Sequence, residues 1–95
     1  MNEKQIQDAQ DAVVKAVAEV CFTKVEAATP LISSGLLDSI GRIHLTVALE
    51  EKFNVKISNG EVNSETFENV ASIVRLIAAK VWSLIFLAVN LLNLQ

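Results

Sequence analysis

In this 95-residue chain the helical spacing of apolar residues breaks off for longest between Thr23 and Gly35. Upstream, Ile6, Ala9, Val13, Ala16, Val17 and Val20 recur at steps of three and four, with Lys4, Gln7, Asp8, Asp11, Lys15 and Glu19 mostly between them. That spacing predicts an amphipathic helix over Glu3–Val20, whose apolar end Cys21 and Phe22 extend. The break holds the only proline, Pro30, with Thr29, Ser33, Ser34 and Gly35. It predicts a long ordered loop that Val25, Leu31 and Ile32 pin to a core. The period restarts at Gly35-Leu36-Leu37-Asp38-Ser39-Ile40. There a turn glycine and an acid able to cap free N–H groups deliver one serine to the start of a helix, its hydroxyl facing water.

That second helix, Ser39 to Phe53, is apolar on two sides. At about 100° per residue, Leu45, Ala48, Leu49 and Phe53 form one stripe, whereas Ile43 and Val47 lie on the side of Ser39. One stripe faces the core; the other is either an exposed strip for a partner protein or buried between neighbouring helices. Asn54–Gly60 reads as a loop with Val55 and Ile57 tucked inward, Glu61–Thr66 as a short helix, and Phe67 as an anchor. A last helix starts at Glu68 or Asn69 and carries Val70, Ile73, Val74, Ile77 and Val81 on one face. The expectation is an all-α four-helix bundle, with three long helices, one short helix and a long first loop, over residues 1–80.

Residues 81–95 break the pattern by being apolar all round, an extension of the last helix with no charged residue. The run falls short of the roughly 20 apolar residues of a membrane span, and Lys80 blocks its upstream growth. Self-association or membrane proximity through Val81, Trp82, Leu84, Ile85, Phe86 and Leu87, or folding over a hydrophobic cargo, are the readings it leaves.

A net charge of -3 with only 8 Lys+Arg gives no basic patch to neutralise phosphates, so no nucleic-acid partner is expected. The single cysteine permits no internal disulfide and no zinc cluster, and no metal site is expected. With no export signal in the polar N-terminus, the expected location is the cytoplasm, with the inner face of the membrane as a variant. Ser39 has no base to make it a nucleophile. The only histidine, His44, lies about 140° around the same helix, and no Gly-x-Ser-x-Gly surrounds the serine. The adjacent Glu50 and Glu51 read as a solvated face rather than an acid/base couple, and no glycine-rich phosphate loop is present. A Ser/His hydrolase is therefore not expected.

An exposed serine beside an acid, lacking a base of its own, suits modification by another enzyme. Leu36-Leu37-Asp38-Ser39-Ile40, followed by Leu45, Ala48-Leu49-Glu50-Glu51-Lys52-Phe53, Val55-Lys56-Ile57 and Phe67-Glu68-Asn69-Val70-Ala71-Ser72-Ile73, resembles the acyl carrier protein family over about Gln5 to Lys80. The resemblance implies a four-helix bundle whose serine, here Ser39, carries a 4'-phosphopantetheine arm that a phosphopantetheinyl transferase installs from coenzyme A. Asp38 would serve transferase recognition. The arm holds acyl groups as thioesters for acyl-loading and acyltransferase enzymes, and the resemblance implies that the carrier itself is not an enzyme. Partner docking is expected at Leu37, Ile40, Ile43 and Val47, with Arg42 and His44 standing where fatty-acid carriers commonly bear acids. That departure and the tail suggest a specialised carrier, for example in membrane-linked lipid or lipid A synthesis. An amino-acyl or peptidyl carrier and a non-carrier helical interaction module are the alternatives.

Overall fold

The computed structural model describes residues 2–93, without the side chains of Phe86 and Asn93; Phe86, expected in the apolar tail, thus lies outside the described side chains. Three α-helices, α1 (Glu3–Cys21), α2 (Ser39–Phe53) and α3 (Val70–Asn93), and one 3-10 turn (Asn59–Glu61) make up the regular structure. The fold is helical throughout the described residues, as expected, and α2 has the predicted bounds.

Each helix starts where a side chain can take up free backbone donors. Asn2 accepts from Gln5 N at 2.8 Å while the Gln5 side chain accepts from Asn2 N at 3.0 Å, which closes a capping box on α1. Asp38 accepts from Gly41 N at 2.7 Å on α2. On α3, Asn69 accepts from Ser72 N at 2.8 Å and the Ser72 hydroxyl accepts from Asn69 N at 3.2 Å. The first two helices end in left-handed residues, Phe22 at φ 56° and Asn54 at φ 53°.

The expected short helix over Glu61–Thr66 is absent. A single 3-10 turn sits upstream at Asn59–Glu61, and turns follow. The cause is Asn63, whose side-chain carbonyl accepts from Glu65 N at 2.9 Å and Thr66 N at 3.0 Å, while the Thr66 hydroxyl donates to Glu61 O. Side chains that bond their own backbone in this way compete with helix formation.

The core is built from the predicted stripes: Val13 and Val17 of α1, Leu45 and Leu49 of α2, and Val70, Ile73 and Ile77 of α3 are all fully buried. Val25, Leu31, Val55, Ile57 and Phe67 join them from the connections. Beyond Val81, α3 runs on with its described side chains exposed, and the molecule reaches 50 Å along its longest axis against 28 and 20 Å along the others.

Candidate functional site

Ser39 is the first residue of α2, and its side chain is exposed. What holds it there begins in the preceding loop. Gly35 turns the chain at φ 82°, a left-handed conformation that costs an L side chain energy, with its N–H donating to Ile32 O at 3.1 Å. Leu37 N then donates to Leu31 O at 2.9 Å.

A single carboxylate organises this loop. One oxygen of Glu68 accepts from Leu31 N, Ile32 N, Ser33 N and the Ser33 hydroxyl, each at 3.1 Å. The Ser33 N–H, helped by the Ser33 hydroxyl and the other two amides, holds the Glu68 carboxyl below the usual carboxylate range against the opposing effect of desolvation. Sequence reasoning assigned Glu68 only to the start of the last helix.

Leu37 corrects an expectation. It was expected among the docking residues, but it is 1% exposed and packs into the core, because the turn at Gly35 directs it inward beneath α2. Glycine at position 41 serves the same packing. A Cβ there would lie 3.1 Å from Asp38 Oδ1 and 3.2 Å from Leu37 Cδ1, so its absence leaves room for the cap and for Leu37.

The other expected surface residues are at the surface. Ile40 and Ile43 are 65% and 63% exposed, Val47 is 48% exposed and His44 is solvated. The apolar stripe on the serine's side of α2 is therefore a free face. Two residues extend it that the sequence did not single out, Leu36 and, above all, Phe22 at 93% exposure. Phe22 looked like the end of the apolar face of α1; as the left-handed residue that stops that helix, it turns away from the core instead.

Two hollows flank the start of α2. One, of about 340 Å³, is lined by Val20, Cys21 and Phe22 of the α1 end together with Leu36, Ile40 and His44; Asp38 borders it. Burial, with Asp38 adding to it, pushes the Cys21 thiol up, which suits a partly buried small hydrophobe rather than a reactive thiol. The other, of about 260 Å³, is lined by Ile43, Val47, Ile57 and Val62 together with the polar Arg42, Thr46, Glu50 and Asn59. Arg42 Nε is buried there without a hydrogen-bond partner among the described residues. Glu50, expected on a solvated face, also borders this hollow and is engaged, accepting from Ile57 N at 2.8 Å.

Chemically, this site cannot activate its own serine. The Asp38 carboxylate is committed to the helix cap, and His44 lies around the helix from Ser39. An anionic substituent on the hydroxyl, however, would sit at the positive end of a helix with a guanidinium one turn on, a setting that favours negative charge.

A family model described as "Phosphopantetheine attachment site" matches residues 11–77, from within α1 to within α3 and across Ser39. No curated protein and no solved structure matches the chain. The chain belongs to the phosphopantetheine-attachment family, whose domains bear a covalent 4'-phosphopantetheine group and act as non-catalytic carriers.

Proposed function

We propose that Ser39 is the attachment point and that the chain is an acyl carrier. One observation carries this reading: within the matched region, Ser39 is an exposed hydroxyl at a capped helix start, framed by a free apolar face. Ser39 Oγ would hold the arm as a phosphodiester, and Arg42 and the α2 N-terminus would balance its charge. The arm's terminal thiol supplies the thioester bond to cargo. Asp38 fixes the first turn of α2 around the serine through Gly41 N and marks the site for the transferase. Ile40, Ile43 and Val47, continued by Leu36 and Phe22, form the rim on which loading enzymes and acyltransferases dock, while Arg42 and His44 favour partners with an acidic docking surface. The apolar side of the hollow, from Ile43, Val47, Ile57 and Val62, supports acyl over amino-acyl cargo. The apolar end of α3 supports use at the inner face of a membrane, in lipid synthesis such as that of lipid A.

Intact-mass measurement after incubation with coenzyme A and a broad-specificity transferase tests the attachment. A gain of one phosphopantetheine group that is lost in Ser39→Ala is the expected result. An unchanged mass, or a gain that persists in the variant, overturns it. Recovery of amino-acyl thioesters from the carrier isolated from its own cell overturns the acyl reading alone.

A further inference from the structure

The end of α3 has no counterpart in the matched region, which stops at residue 77. From Val81 to the last described residue there is no charged side chain. The bareness is on every side. Leu84 and Leu91 continue the face that buries Ile77, Trp82 and Val89 stand on the opposite face, and all four are about half exposed or more. A second copy or a protein groove would cover one face and leave the other in water. With Ser83 and Asn90 the only polar residues among its described side chains, a helix apolar on nearly every side calls for surroundings that are apolar on nearly every side.

By length and composition, Val70–Leu92 is apolar enough to cross a membrane, at a mean hydropathy of 1.9. Its first half, however, is committed to the bundle, since Val70, Ile73 and Ile77 are fully buried. What remains beyond Lys80 is about 18 Å of helix to Leu92, close to the depth of one leaflet of a roughly 30 Å hydrocarbon core.

The root of this segment is built for a water–lipid boundary. Lys56 and Lys80 line a hollow of about 410 Å³ with Ser83 and Leu84 on one side. On another side, Gln5, Asp8 and Phe53 approach Val81 and Ile85 around a hollow of about 300 Å³. Lysine stems lie along apolar surface while their ammonium groups stay in water, and tryptophan settles at the headgroup level. Lys80 and Trp82, two positions apart, stand on opposite sides of the helix at this root.

We propose that residues 81–92 insert end-on into one leaflet of a phospholipid bilayer, with Lys56, Trp82 and the Lys80–Glu61 ion pair at the headgroups. Phe53, at the end of α2, borders that root, and the N-terminus of the 15-residue helix lies about 21 Å along it from there.

Trp82 is the only tryptophan and the chain has no tyrosine, so its emission reports on this segment alone. The full chain is titrated with phosphatidylcholine vesicles, with and without phosphatidylglycerol, and its fluorescence is followed. A blue shift with both vesicle types is expected. Leu87→Asp, at a position 58% exposed and beyond the contacts of the bundle, should weaken the partition about 100-fold. Unchanged circular dichroism and an unchanged gain of mass at Ser39 then show the bundle intact. Three outcomes overturn insertion: no shift with either vesicle, a shift that appears without vesicles and grows with protein concentration, or a salt-sensitive shift with anionic vesicles that Leu87→Asp leaves unaltered. The second of these assigns the segment to a second copy, and the third to surface adsorption through lysines. Lipid partition is read on Trp82 without any modification, so its failure leaves the carrier reading untouched.

Discussion

The two halves of α3 carry one apolar stripe, Val74, Ile77, Val81, Leu84, Ala88 and Leu91 at steps of three and four, with opposite outcomes. In the first half Ile77 is fully buried; in the second Leu91 is 66% exposed. The residue types do not account for this, since leucine and isoleucine occur in both halves. Neighbours do. α1 starts at Glu3 and α2 ends at Phe53, and residues at those two ends meet α3 at Val81 and Ile85. Past that point nothing in the described chain lies alongside. Periodicity tells which face a helix would bury, and only packing tells whether anything is there to bury it against.

The contrast can be broken most forcefully from the covered side. Ile77→Ala removes a side chain from a closed core and should cost about 2–5 kcal/mol, read from the denaturant midpoint. A loss below about 1 kcal/mol would mean that the bundle is no better packed there than the bare half.

At the junction between the halves the expected effect is smaller and depends on pH. Glu61 accepts from Lys80 Nζ at 2.6 Å. The Lys80 ammonium, with the Ser58 N–H helping, holds its carboxyl down to about 2. Because the folded state lowers this pKa, the pair contributes fully above the ordinary carboxylate range, and its contribution fades as pH falls from there toward 2. Both side chains are partly solvated, so Lys80→Ala should cost about 0.5–1 kcal/mol at neutral pH and less at pH 2, measured as unfolding free energy across that range.

The smallest effect is expected on the bare side. Leu91→Ala should change stability by no more than about 0.5 kcal/mol in dilute, lipid-free buffer. A cost like that of Ile77→Ala would show that the second half is covered in solution and that the contrast holds only for the isolated chain.

What could be read in advance follows the same division between local and distant causes. The bounds of α2 were legible because Asp38 and the apolar period are local signals, whereas a helix with two apolar sides left the Ile43 and Val47 strip either exposed or buried, and only the packing decides that it is exposed. Leu37 was misjudged because nothing in Leu36-Leu37 tells which leucine the turn at Gly35 sends inward. The short helix was misjudged because Asn63 diverts the N–H groups of Glu65 and Thr66, a choice that helical spacing does not register. Phe22 shows the limit of apolarity as a guide, since the residue that ends a helix in a left-handed conformation need not follow its face. Glu68 was beyond local reading altogether, because its partners lie 35 to 37 positions away.

That distance sets an order of events during synthesis. The amides of Leu31, Ile32 and Ser33 emerge from the ribosome long before Glu68, and until it arrives they have only water to bond. The turn that presents Ser39 is thus completed from downstream. A truncated chain ending before Glu68 contains the serine, its acid and all of α2, yet lacks the carboxylate that fixes the loop in front of them. A transferase that recognises shape rather than a linear motif would therefore act on the proposed site only in the finished fold.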